Sequence, residues 1–356
     1  MRNDVKVDVN GHDAGAARRR ATIRDVAARA GVSHQTVSRV INRNPNVAEP
    51  TRERVLSAIR ELGYVPSPMA QGLISNRTHS LGVVTDDISD QFFARAVAGA
   101  EAEARRRGYY LMIGSLEPDE DELGYLRLML ERRVEGLILA RPSVPIPIEH
   151  LVPARSAGIP LVALALSELP GFTVVDVDNR RGGFDATAYL LEHGHRSIAT
   201  IVGPHDWPSA TARLTGYRDA LAGAGIPEDP ALVERAADWG LESGRVAAAR
   251  LLGRRVPFTA LFAHSDLTAV GAIRELRAAG LRIPEDVSVV GFDDVPIAAF
   301  VEPPLTTIHQ PMHEVGELAA RLVLDQLAGG EPLDESKHLL AAELVARESV
   351  ARRAAD

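Results

Sequence analysis

Gln35 and Arg39 stand one helical turn apart in the stretch His34-Gln-Thr-Val-Ser-Arg-Val-Ile-Asn42. These two side-chain types bond base edges bidentately, Gln to adenine and Arg to guanine O6 and N7. Together with His34, Ser38 and Asn42 they form the polar side of a segment whose other side carries Val37, Val40 and Ile41, the spacing of an amphipathic helix. A second equipped group lies further along: Asp90-Gln-Phe92-Phe93, Trp207, Arg213, Asp238-Trp239, Ser265-Asp266 and Asp293-Asp294. Carboxylates and an arginine bond sugar hydroxyls in pairs, and flat rings stack on sugar C–H faces. Aromatics make up only 4% of the chain, yet both tryptophans fall in this group, which singles it out.

Catalytic chemistry is poorly represented. The absence of cysteine excludes disulfides, thiolate nucleophiles and Cys-ligated metals. The chain has no G-x-S-x-G, H-E-x-x-H, G-x-G-x-x-G or G-x-x-x-x-G-K pattern. His193 and His195 flank Gly194 at an expected helix C-terminus, where His suits the dipole, and a third metal ligand is missing. The acidic run from Glu117 to Glu122 reads as a solvated first helical turn. No metal or cofactor is expected.

The elements that position the first group are three short helices. Residues 1–20 lack apolar periodicity and read as a disordered arm. From Thr22, the residues Ile23, Val26, Ala27 and Ala30 share one helix face; Gly31 supplies a turn and Ser33 an N-cap for the helix bearing Gln35 and Arg39. A third helix spans Thr51 to about Leu62, apolar at Val55, Ala58, Ile59 and Leu62. This is a helix-turn-helix whose second helix fits the major groove, with Thr22, Ser33, Ser38 and Thr51 as hydroxyls for phosphates; Asn42 is placed with them. Charge agrees: residues 1–80 hold thirteen basic and seven acidic residues, net +6, and the remainder is net -14. In 67–76, Ser67 and Pro68 permit a helix start, but Gly72 costs about 1 kcal/mol relative to Ala. The segment reads as a linker that folds on a partner, with Leu73 as an outward apolar wedge.

The second group belongs to an α/β body. Strands are expected at Leu81–Thr85, Tyr109–Ile113, Gly136–Leu139, Leu161–Leu164, Thr173–Val177, Ser197–Val202, Ala260–Ala263 and Val287–Gly291, with helical stretches such as Ala94–Arg107, Glu120–Arg132 and Ser265–Ala279 between them. That alternation predicts two doubly wound lobes with a ligand at the strand carboxyl ends. The domains are then the arm 1–20, a helix-turn-helix domain 21–66, a hinge 67–78, and a ligand-binding and dimerisation domain 79–356.

The run Thr22-Ile-Arg-Asp-Val-Ala-Ala-Arg-Ala-Gly-Val-Ser-His-Gln-Thr-Val-Ser-Arg-Val-Ile-Asn42 resembles the N-terminal signature of the LacI/GalR family of bacterial transcription regulators. The resemblance continues through Glu61-Leu-Gly-Tyr-Val-Pro66 and Ala70-Gln-Gly-Leu73 and covers about residues 22–350. It implies a periplasmic-binding-protein-like effector domain and a homodimer reading a palindromic operator. His34, Gln35 and Arg39 would touch bases, and paired hinge helices would insert Leu73 into the minor groove. In the body, Ser209-Ala-Thr-Ala-Arg213, Asp238-Trp239 and Pro303-Pro-Leu-Thr-Thr-Ile-His-Gln310 are similar to family stretches, with Arg213 and Asp293 at ligand-binding positions. Relative to the lactose-responsive member, Ala165 replaces a sugar-contacting Asp, Ser265 replaces a contacting Asn, Asp176 stands at an aromatic position, and His34 stands where that member has Tyr.

The expectation is thus a ligand-responsive repressor of a carbohydrate-utilisation operon, with a glycoside or oligosaccharide as inducer. A purine-responsive regulator, a soluble sugar-binding protein and a glycosidase are the alternatives. No apolar run reaches the roughly 18–20 residues of a membrane span, and no signal peptide is read, so a cytoplasmic location is expected. The lack of a leucine-heptad tail after Ser349 points to a dimer rather than a tetramer.

Overall fold

The computed structural model describes residues 21–41, 44–65, 77–85, 91–115, 122–140, 147–164 and 169–353. The arm 1–20, Asn42, the segment 67–76 with Leu73, Asp90 and Ala165 lie outside the described residues. Two compact units are present, Met1–Thr78 and His79–Asp356.

The first unit contains α1 (Ile23–Ala30), α2 (His34–Ile41) and α3 (Glu49–Leu62). Thr22 and Asp25 open α1 with a reciprocal box: the Asp25 N–H donates to Thr22 Oγ1 at 3.3 Å and the Thr22 N–H to Asp25 Oδ2 at 2.8 Å. Gly31, at φ 67°, ends the helix in the left-handed conformation that glycine adopts without penalty. Ser33 Oγ accepts the Thr36 N–H at 3.2 Å and starts α2. Helix α3 begins two residues before Thr51, because Pro50 is well suited to a first turn where its missing N–H has no partner to lose. Val26, Val37 and Val55 are fully buried at the centre, ringed by Ala27, Ala30, Val40, Val47 and Ala58. Leu62 departs from its expected place in this core and is 37% exposed. The left-handed turn at Gly63 folds Tyr64 back, its N–H donating to Ile59 O at 3.0 Å, and Tyr64 packs against the core instead.

The second unit runs β1 (Ser80–Thr85), α4 (Gln91–Arg106), β2 (Tyr110–Ser115), α5 (Glu122–Glu131), β3 (Gly136–Ala140), α6 (Ile148–Ser156), β4 (Leu161–Leu164) and β5 (Thr173–Val177). It continues with α7 (Asn179–Glu192), β6 (Ile198–Val202), α8 (Pro208–Gly223), β7 (Val233–Arg235), α9 (Leu241–Gly253), β8 (Ala260–Ala263), α10 (Asp266–Ala278) and β9 (Ser288–Val290). Last come β10 (Thr307–His309), α11 (Met312–Leu327), β11 (Ser336–Leu340) and β12 (Glu343–Val345). A parallel sheet in the order β11-β5-β4-β3-β1-β2 forms one lobe, and a parallel sheet β7-β6-β8-β9 forms the other.

The eight expected strands are present with ends shifted by a residue or two. Their legibility has a cause: β1, β3, β4, β5, β6 and β8 are buried along their whole length, and strands covered on both faces must be continuous apolar runs. Strands β7, β10, β11 and β12 were not expected. Three of them are three residues long, and the edge strand β11 is the half-exposed Ser-Lys-His-Leu-Leu, whose two adjacent leucines make neither an apolar run nor an alternation. These additions make the lobes interleave. The chain leaves the first lobe after β5, returns through β10 into α11, and leaves again after β11 to pair β12 with β10. The crossings are bonded to each other, the Asp178 N–H donating to Leu340 O at 2.9 Å.

Candidate functional site

A cavity of about 380 Å³ opens between the lobes at the carboxyl ends of their strands, the position where doubly wound sheets receive ligands. Its inner end is polar. Arg213 comes from α8, Asn179 from the first residue of α7, Asp176 from β5, Asp293 from the loop after β9 and Gln310 from the end of β10. Two of the three crossings therefore end in this cluster.

Arg213 is its centre and is 3% exposed. Its Nε donates to Asn179 Oδ1 at 2.8 Å, its Nη1 donates to the carbonyl of His264, and Nη1 lies 3.5 Å from Asp293 Oδ1. The guanidinium plane sits 3.7 Å from the centroid of Phe292 and 5.3 Å from that of Trp239, so aromatic faces hold it above and beside. Burial lowers its pKa, opposed by Asp293, Asp176 and Asp266. A planar fork meeting a ring and three different acceptors is a task for arginine and not for lysine.

Asp176 is 7% exposed and its carboxyl is pushed up to about 7 by burial, against the pull of the Val177 N–H, Lys337 and Arg213. The Val177 N–H donates to its Oδ1 at 2.7 Å. A buried acid that stays protonated to neutrality can both donate and accept toward a hydroxyl. Asp293 has φ 115° and Asp294 φ 55°, conformations rare for side-chain-bearing residues. They are held from several sides: Gln310 Nε2 donates to Asp293 Oδ1 at 2.5 Å, and Arg347 Nη2 donates to Asp294 Oδ1 at 2.6 Å. Strain fixed in this way at a cavity wall is a mark of function. Ser265 serves structure as well as lining: it caps α10 and its Oγ donates to the Trp239 carbonyl at 3.1 Å.

Trp207 and Trp239 meet edge to face, centroids 5.4 Å apart at 83°, and both line the cavity. Trp239 depends on Gly203, since a Cβ there would fall 2.1 Å from the indole. Gly203→Ala is expected to push the indole from its seat, weakening ligand binding at least tenfold with altered tryptophan fluorescence; unchanged affinity and spectrum contradict this. Phe92 is half-buried at the wall, while Phe93 borders the cavity but is 2% exposed and belongs mainly to the core. Among the described residues that line the cavity, the Trp239 indole N–H and the Gln310 amide oxygen are buried without a hydrogen-bond partner.

Of the expected body residues, Phe92, Phe93, Asp176, Trp207, Arg213, Trp239, Ser265 and Asp293 all line this one cavity, and Asp90 lies outside the described residues. Sequence reasoning did not assign Asn179, Gln310 or Phe292 to the site. Asn179 opens a helix directly after a buried strand, a signal that was available; Gln310 follows a three-residue strand that was not legible. His193 is the C-cap residue of α7, with Nδ1 2.7 Å from the Tyr189 carbonyl. His195 is buried against Thr259 Oγ1 at 2.9 Å and the Ala351 carbonyl at 3.2 Å.

In the first unit, His34, Gln35 and Arg39 are exposed on α2 opposite Val37 and Val40. Ser38 is half-buried on the same helix, and Thr51 is half-buried in the first turn of α3. Thr22 and Ser33 are exposed, though their hydroxyls also serve as helix caps. A helix so presented, on a unit with a basic excess, has the form of a major-groove reader.

Residues 22–67 match the bacterial regulatory proteins of the lacI family, and residues 187–350 match a periplasmic binding protein-like domain. The HTH-type transcriptional repressor CytR of Escherichia coli (strain K12) is 36% identical over 332 residues, 92% of this chain and 96% of CytR. A transcriptional regulator CelR–cellobiose complex has 37% identity and a TM-score of 0.71 over 93% of this chain and all of that one. A lac repressor dimer bound to operator and the anti-inducer ONPF has 30% identity and a TM-score of 0.84, covering 93% of this chain and 99% of that one. With the helix-turn-helix, the two interleaved lobes and the cavity between them, this places the chain in the LacI family of bacterial transcription regulators.

Proposed function

We propose that the protein is a cytoplasmic, homodimeric repressor that holds a palindromic operator and releases it when a sugar occupies the cavity between the lobes. The observation that carries the sugar reading is the inner cluster, where the guanidinium of Arg213 and the carboxyl groups of Asp176 and Asp293 line the same cavity as two indoles. Carboxyl and guanidinium groups bond vicinal hydroxyls in pairs while indole rings cover sugar C–H faces. Asp176 and Asp293 have binding roles that need no hydrolysis: one bonds the Val177 N–H and the other bridges Arg213 and Gln310. In this reading residues 21–66 read DNA, 67–78 form the hinge, and 79–356 bind sugar and dimerise.

His34, Gln35 and Arg39 are the base-reading residues, with Thr22, Ser33, Ser38 and Thr51 on the phosphates. Arg39→Ala is expected to cost about 1–3 kcal/mol at a single half-site position and relax preference there. Selection from a randomised half-site checks it; uniform weakening across all positions would make Arg39 a phosphate contact. For the cavity, calorimetric titration with methyl glycosides and with purine nucleosides is the test. Heat from a glycoside supports the reading, whereas binding of a purine alone overturns it.

A further inference from the structure

Two carboxyl groups line the inner end of the cavity, and they are held differently. Asp293 has the Arg213 guanidinium 3.5 Å away and an amide donor in Gln310. Asp176 is 7% exposed and has no ion pair among the described residues. Its two hydrogen bonds come from the Val177 N–H at 2.7 Å and Asn179 Nδ2 at 3.4 Å, and both end on Oδ1. Among the described residues nothing bonds Oδ2. Arg213 on α8 is engaged by Asn179, the His264 carbonyl and Asp293, and acts on Asp176 only through space. Lys337 does the same from the edge strand β11, two residues before Leu339, the register partner of Asp176. Asp178 adds a like charge at the start of α7, and Arg95 of α4 and Asp293 line the same cavity.

A carboxylate placed in this way depends on water in the cavity to solvate Oδ2. A neutral sugar that fills the cavity displaces the water and supplies no charge in return. The anion would then be buried without a partner, which is costly, whereas the neutral acid is not. Since Oδ1 already holds two donors, the proton belongs on Oδ2, where it can be given to a sugar oxygen while both existing bonds are kept. Ring and glycosidic oxygens only accept, so the anion cannot bond them. Resting on the sugar reading above, we propose that the cavity takes up its sugar together with one proton from solvent, carried on Asp176 Oδ2. The repressor then answers to sugar more strongly on the acid side of neutrality. Burial pushes this carboxyl up to about 7 before sugar arrives, so the competent form thins out just above neutral pH. When only that form binds, affinity falls with its population, about tenfold between pH 6 and pH 8.

The test is calorimetric titration of the full-length protein with the methyl glycosides of glucose and galactose at pH 6 and pH 8. Each titration is run in two buffers of different ionisation enthalpy, which counts the protons bound. For the glycoside that binds, the expected result is uptake of close to one proton at pH 8 and binding about tenfold weaker than at pH 6. Asp176→Asn cannot ionise and is expected to lose both the uptake and the pH dependence. Lys337→Met, on an exposed strand edge outside the cavity lining, removes a cation that favours the anion and is expected to move the fall in affinity to higher pH. Equal affinity at the two pH values without uptake, or release of a proton on binding, overturns proton-coupled binding and leaves the sugar reading intact. A pH profile unchanged in both variants overturns the assignment to Asp176. Binding of no glycoside at either pH overturns both.

Discussion

Arg213→Ala is expected to abolish sugar binding, raising the dissociation constant at least a hundredfold, and to destabilise the second unit by roughly 1–3 kcal/mol, because the half-buried Asp293 carboxylate loses its cation and Asn179 and the His264 carbonyl lose their donor. The residue left behind is Asp293, held in a strained backbone conformation by Gln310 and now without the cation 3.5 Å away. Loss of binding could then follow from loss of structure alone, and Arg213→Lys separates the two. Lysine keeps the charge for Asp293 but has no fork to reach Asn179 and the His264 carbonyl together, and no plane to lie on Phe292. Its urea midpoint is expected near that of the parent while sugar affinity falls at least tenfold. Parental affinity in Arg213→Lys contradicts the role of the fork and leaves only charge.

Asp176→Asn is expected to remove a pH dependence of stability. The carboxyl has a folded pKa of about 7 against 3.8 in the unfolded chain. Between those values the folded state holds a proton that the unfolded state has released, so stability falls as pH rises through this window and the loss is complete above pH 7. At 1.36 kcal/mol per pKa unit the cost reaches about 4 kcal/mol. Asparagine keeps an oxygen for the Val177 N–H, 2.7 Å away, and cannot ionise. The variant is therefore expected to be more stable than the parent at pH 8, with the gain shrinking toward pH 4. Urea unfolding at the two pH values measures the difference. Asp266, buried and also raised, titrates in both proteins and cancels from the comparison. A gain that does not vary with pH contradicts the assignment. The same variant should bind sugar less well, since an ionisable group that destabilises the free protein is retained for what it does when bound.

What the sequence made legible follows from what each element must bury. The helix-turn-helix was readable to within two residues because its caps, Thr22 and Ser33, and its turn, Gly31, are side-chain signals local to the chain. The inner strands were readable because burial on both faces forces an apolar run. Strand β11 and the β10–β12 pair were not, since their pairing is decided by distant partners such as Val175 and Leu344 rather than by their own residues. The cavity shows the same division. Arg213, Asp293 and the tryptophans announced themselves by type and by position at strand ends. Gln310 and Asn179 are common polar residues whose importance arises only where the crossings bring them to Arg213 and Asp293.

Release of operator by sugar requires that the two units be energetically linked. Fluorescence anisotropy of a palindromic duplex, titrated with the full-length protein at fixed salt and repeated with saturating sugar, measures it directly. The expected result is sequence-dependent binding that weakens at least tenfold with one glycoside, and a sugar affinity that falls by the same factor when operator is bound, as linkage requires. Operator binding indifferent to a sugar that calorimetry shows in the cavity would contradict the account.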